Sequence, residues 1–146
     1  MKILGLDVGE KRIGTAVSDT LGSMAFPRYT IERDDLEGVM DSILSLSQLE
    51  GVERIVVGLP WSLDGTLNAQ GHRILEFCDV LSSRSPVPVE TWDERFSTVE
   101  AEYLLRQRKV KTSREKGRID SVAAAIILQR WLDHHREGRD SQGLIS

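Results

Sequence analysis

The most constraining stretch of this chain is its first: Ile3-Leu4-Gly5-Leu6-Asp7, a short charged turn, and a second apolar run from Ile13 to Val17. A parallel return between strands needs a crossover of a dozen or more residues, so strands joined this briefly must be antiparallel neighbours. The chain therefore opens with a hairpin, and Asp7 sits near the end of its first, buried strand. Glycines at 5, 9 and 14 let another group come close to the backbone there. An Asp in that position often does no more than begin a turn. The hairpin alone leaves that reading open beside a functional one.

A length of 146 residues suits one domain able to bury roughly two-thirds of its unfolded surface. No apolar run reaches the roughly 18 residues needed to span a bilayer. No basic leader precedes the first strand, so a cytoplasmic protein without membrane contact is expected. Cys78 is the single cysteine, which excludes an intrachain disulfide and suits a reducing compartment. Its neighbours Phe77 and Leu81 mark it as a buried structural thiol. The net charge of −4 argues against a nonspecific nucleic-acid coat. The charge is unevenly spread, however. Arg106, Arg108, Lys109, Lys111, Arg114, Lys116 and Arg118 form a run opposed only by Glu115. Such a run is commonly a solvated loop. Placed just before a helix that carries a candidate catalytic Asp, it also suits phosphate binding.

Along the chain, residues 23–33 supply a third strand with Phe26, Tyr29 and Ile31 as apolar positions, and Pro27 implies an edge or a bulge. Asp34 or Asp35 caps a helix whose apolar stripe runs from Leu36 through Val39, Met40 and Ile43 to Leu46, and Gly51 stops it. Residues 55–60 read as a strand buried on both faces, and Asp64-Gly65 as a turn. Asn68 caps the next helix, and residues 87–92 make a fifth strand. Ser97 and Glu100 form a capping box for a helix through Leu105. A long helix then spans about Ile119 to His135, its Ala123–Ala125 run small enough to lie close on a sheet. Residues 138–146 read as a polar, frayed tail, leaving 1–137 as the folded domain.

The order is β-β-β-α-β-α-β-α-α. It predicts an α/β fold with a mixed five-stranded sheet and helices on both faces. The first, fourth and fifth strands run parallel, so their carboxyl ends gather at one edge, where sites in open α/β sheets form. Asp7 ends the first strand, Asp93 and Glu94 end the fifth, and Asp120 opens the last helix. Clustered carboxylates raise one another's pKa and cost stability unless a cation lies between them. Oxygen ligands without His or Cys point to Mg²⁺ or Mn²⁺ rather than zinc. Taken singly, Asp120 is also a plausible helix cap and Asp93 a plausible partner of Arg95.

Five ordered motifs carry a resemblance. They are Asp7-x-Gly9-x-x-Arg12-Ile13-Gly14, Val57-Gly58-Leu59-Pro60, Asp64-Gly65-Thr66, residues 93–98 (DERFST), and Ile119-Asp120-x-x-Ala123-Ala124-x-x-Ile127-Leu128. Together they resemble the YqgF/RuvX family, described as Holliday junction resolvases and as pre-16S rRNA nucleases, over Met1 to about Asp133. The resemblance implies a ribonuclease H-like fold related to the RuvC resolvases. It implies a bacterial cytoplasmic nuclease acting on rRNA precursor or branched DNA, as a monomer or a homodimer. Asp7, Glu94 and Asp120 take the catalytic carboxylate positions, with Asp93 as a fourth metal ligand. The chain lacks the glutamate that RuvC has after the fourth strand, so Glu94 must substitute from the fifth. Two-metal-ion hydrolysis is the implied mechanism. Lys11, Arg12 and Arg95 are expected near the scissile phosphate, and Lys109, Lys111, Arg114 and Lys116 along the flanking backbone.

Two rival readings compete. The Asp-x-Gly hairpin also occurs as the first phosphate loop of actin-like ATPases, although those need two such domains. A non-catalytic RNA-binding ribosome-maturation factor on the same fold is favoured by the missing fourth-strand acid.

Overall fold

In the computed structural model, residues 1–60, 64–93 and 113–145 are described, the last stretch with side chains from 118 to 135. Strands β1 (Ile3–Val8) and β2 (Arg12–Ser18) form the opening hairpin, antiparallel with Asp7 opposite Gly14. The expected third strand divides into two short ones, β3 (Ala25–Pro27) and β4 (Ile31–Glu32), and both pair with β2. Among the described residues the sheet therefore has six strands rather than five. Pro27 ends β3 at the edge, where a missing N–H costs no ladder bond.

Helix α1 (Leu36–Glu50) starts at Asp35, whose side chain accepts from the Gly38 N–H at 2.5 Å. It ends at Gly51 in the left-handed region (φ 67°), which a residue with a Cβ adopts only at a cost. Strand β5 (Arg54–Leu59) follows. Helix α2 (Ala69–Arg84) is capped by Asn68, which accepts from the Gly71 N–H at 2.9 Å. Strand β6 (Val89–Asp93) precedes α3 (Ser113–Ile145). The strand order is β3-β2-β1-β5-β6, with β1, β5 and β6 parallel as expected. The helix predicted over 97–105 lies outside the described residues.

The two faces of the sheet bury different cores. Leu4, Leu6, Val8, Ile55, Val57 and Leu59 pack against α1 and α2. Ile3, Ala16 and Val56 pack against Ala124, Leu128, Trp131 and Leu132 of α3. Cys78 belongs to the first core, and burial pushes its thiol up to about 11, with Asp79 adding to the shift. It is held protonated and serves packing.

Helix α3 lies on the sheet with almost no clearance, and glycines make that possible. A Cβ on Gly5 would stand 2.8 Å from Leu128 Cβ, and one on Gly58 2.6 Å from Ile127 Cδ1. The small residues on the helix, Ala123 and Ala124, are fully buried. A tie at the opposite end of the sheet joins α1 to the strands. Glu50 accepts from Lys2 Nζ at 2.9 Å and from Arg28 Nε at 3.0 Å, which lowers its carboxyl pKa.

Helix α3 begins earlier and ends later than the predicted 119–135. Arg114 and Lys116, expected in a basic loop, are on its first turns, and the helix continues over the stretch read as a polar tail. Periodicity places the buried stripe of a helix; it says little about where an amphipathic end stops. No helix among the described residues is long and apolar enough to cross a membrane.

Candidate active site

Strand alternation decides which acids share a face. Ile3 and Gly5 touch α3, so Asp7, two residues on, projects to the α3 side of the sheet. Its cross-strand partner is Gly14. A Cβ on Gly14 would lie 2.0 Å from the carbonyl oxygen of Asp120, so the α3 backbone rests directly on this position. Asp7 of β1 and Asp120 of α3 are thereby brought together, although 113 positions separate them. Asp120 is buried, and it sits about two turns inside α3 rather than at its start, which removes the helix-cap reading.

Arg12 completes this group. It is on the same face of β2 as Gly14, diagonally across from Asp7 at about 7–8 Å between backbones. Its Nε donates to Asp120 Oδ2 at 3.2 Å, and both side chains are largely withdrawn from solvent. Arg12, expected near the scissile phosphate, is paired with Asp120 in the structure. Lys11, beside it, is exposed in the turn.

Asp93 does not join them. Its register partner is Leu59, which packs in the α1–α2 core, whereas Trp92 packs toward α3. By alternation Asp93 falls on the face opposite Asp7, away from its expected place beside the other acids. Glu94, Arg95, Lys109 and Lys111 lie outside the described residues, as do the side chains of Arg114 and Lys116. Among the described residues, no group of three or more His, Cys, Asp or Glu side chains is gathered to hold a metal.

Arg33 is a residue that pattern reading missed. Its backbone N–H donates to Lys11 O at 3.0 Å and its Nη1 to Gly9 O at 2.7 Å, while its guanidinium lies 5.6 Å over the Phe77 ring. It clamps the turn that follows Asp7. Nothing in its local sequence signals this, because the contact spans 24 positions. Among the described residues, Asp7 and Asp120 line neither of the two larger cavities. One of about 330 Å³ is lined by Met1, Arg54, Glu90 and Trp131, and one of about 390 Å³ by Glu10, Arg33, Asp35 and Arg73.

Comparison with known proteins settles the family. The family described as RuvX, Holliday junction resolvase, matches residues 1–134. The chain belongs to the RuvX family. As a member it is a nuclease, a hydrolase of phosphodiester bonds. A relative from Desulforamulus reducens, named as a candidate pre-16S rRNA nuclease, is 44% identical over 133 residues, covering 91% of this chain and 97% of the relative. A relative of the same name from Chloroflexus aurantiacus is 46% identical over 134 residues, covering 92% and 88%. Among solved structures, Thermus thermophilus RuvC in complex with a Holliday junction superposes with a TM-score of 0.57 at 17% identity, covering 94% of this chain and 96% of RuvC. The fowlpox virus Holliday junction resolvase gives 0.52 at 10% identity, covering 92% and 99%. At these identities the structural likeness establishes the ribonuclease H-like fold of the RuvC resolvases. The RuvX match supplies the activity.

Proposed function

We propose that this RuvX chain cleaves structured nucleic acid in the cytoplasm with the help of Mg²⁺ or Mn²⁺, at a site formed by Asp7, Asp120 and Glu94. The observation that carries the reading is the contact of Asp120's backbone with Gly14, the residue paired with Asp7. The donors fit a hard divalent cation, being carboxylate oxygens without imidazole or thiolate. Bound there, such ions would supply a water of lowered pKa and neutralise charge at the leaving oxygen. Asp7 and Asp120 would hold them from β1 and α3. Glu94 is proposed as the third acid; the pairing of Asp93 with Leu59 of the α1–α2 core and the resemblance carried by residues 93–98 support that choice.

The remaining roles fall to cations. Lys11 and Arg12 follow Asp7 in the turn clamped by Arg33, and they are proposed to orient the phosphate beside the acids. Arg95, Lys109, Lys111, Arg114 and Lys116 are proposed to hold flanking phosphates. Such contacts position a backbone without reading sequence. Residues 1–137 would form the functional unit. The substrate proposed first is the 5′ end of pre-16S rRNA, on the names of the relatives at 40% identity and above. A four-way DNA junction is the second, on the family's description, and symmetric resolution of one would require two copies of the chain.

Cleavage of a pre-16S rRNA fragment and of a four-way junction should be followed side by side with Mg²⁺ or Mn²⁺. Asp7→Asn is expected to leave the melting temperature essentially unchanged and to abolish cleavage, because it removes one charge at nearly constant volume. Activity within a few-fold of the parent would remove Asp7 from the metal site. Tight RNA binding with no metal-dependent cleavage would favour the RNA-binding maturation factor instead.

A further inference from the structure

Arg12 and a divalent cation have the same electrostatic claim on Asp120. The guanidinium Nε lies 3.2 Å from Asp120 Oδ2, in a pair whose side chains are 16% and 12% exposed. Solvent screens a charge pair this enclosed far less than one on the surface. A carboxylate carrying such a partner attracts a second cation less strongly, whichever oxygen the second cation uses. Arg12 is also placed to leave. It starts β2 on the same face as Asp7, at the end of the turn bearing exposed Lys11, so an arriving phosphate meets it beside the acids. Its planar fork suits a phosphate as well as a carboxylate.

Resting on the metal-site reading given above, we infer that Arg12 is a positioning residue that couples metal to substrate. Without nucleic acid, its charge at Asp120 opposes divalent-ion binding. When a phosphate draws Arg12 away, Asp120 is released to the metal. Linkage makes the effect reciprocal, so metal tightens nucleic-acid binding by the same factor. The device would hold metal affinity low until a phosphodiester is in place.

Direct Mn²⁺ binding to the full chain, followed by the free-ion EPR signal and without nucleic acid, separates this from a purely structural salt bridge. Two neutral variants, Arg12→Gln and Arg12→Met, are expected to bind Mn²⁺ about tenfold more tightly than the parent, or about 1.4 kcal/mol. Arg12→Lys, which keeps the charge, is expected to stay near the parent. Addition of an uncleaved oligonucleotide should tighten Mn²⁺ binding in the parent more than in either neutral variant. If Arg12 merely holds Asp120 in place, the neutral variants that fold will bind Mn²⁺ no better than the parent or more weakly. That result overturns the inference while leaving the metal site intact. If Mn²⁺ binding by the parent is indifferent to Asp7→Asn, the metal-site reading itself fails and takes the inference with it.

Discussion

Asp93 and Glu94 are sequence neighbours with the same charge, and the sheet register speaks to the first of them. Asp93 pairs with Leu59 and shares its face, on the far side of the sheet from Asp7. Glu94→Gln is therefore expected to lower kcat by more than the roughly 10–100-fold typical of outer-shell partners. Asp93→Asn should stay within about tenfold of the parent. The ratio of the two, measured at saturating Mg²⁺, checks the assignment, and the reverse ranking would return the ligand to Asp93. The sequence already ranks Glu94 above Asp93 through its motif; the face of Asp93 needed the register, because the phase of a strand's last residue depends on which neighbour it pairs with.

The interface between α3 and the hairpin is where fold and chemistry meet. Gly14→Ala places a methyl 2.0 Å from a backbone carbonyl that cannot rotate away. Overpacking commonly costs about 1–3 kcal/mol, and a backbone clash belongs at the upper end. A fall in melting temperature of about 6–12 °C is expected, together with loss of cleavage as Asp120 is pushed off the edge. A parent-like melting curve would mean that α3 can shift without cost. The tie from α1 behaves differently, through pH. Hydrogen bonds from Lys2 and then Arg28 lower the Glu50 pKa from 4.5. A depressed carboxyl stabilises the fold above its unfolded pKa, and that stabilisation is lost as pH falls through the folded value. Glu50→Gln should therefore lower stability at pH 7 and narrow its gap to the parent below about pH 4.5. Urea midpoints at pH 7 and pH 3.5 give the comparison, and a gap that does not narrow would remove Glu50 as the source.

Across the molecule, the charge distribution sets how a polyanion would arrive. The chain is acidic overall, yet seven of its cations fall within residues 106–118, leading into α3 and Asp120. Each phosphate contact releases condensed counterions, with a log–log salt slope of about −0.7 to −0.9. Replacing Lys109 and Lys111 together by Ala is expected to weaken nucleic-acid binding regardless of sequence and to flatten that slope by about 1.4–1.8. Turnover at saturating substrate should change little, since neither residue is assigned to the transition state. Binding isotherms at several salt concentrations test this. An unchanged slope would identify the pair as solvated side chains.

What the chain wrote locally was legible from one sequence. The hairpin follows from the length of its turn, the parallel strands from their crossovers, the helix starts from the Asp34-Asp35 pair and Asn68, and the stop from Gly51. Each of these depends on residues within a few positions of one another, so composition and period suffice. The acids Asp7 and Asp120 were legible as candidates for the same reason. Their meeting was decided by the fold, through Gly14, whose missing Cβ lets a helix more than a hundred residues away rest on β2. The Arg12–Asp120 pair, the clamp of Arg33 on the turn and the turning away of Asp93 belong to the same class. They depend on register and docking distance between distant segments, which side-chain periodicity leaves undetermined and close packing fixes.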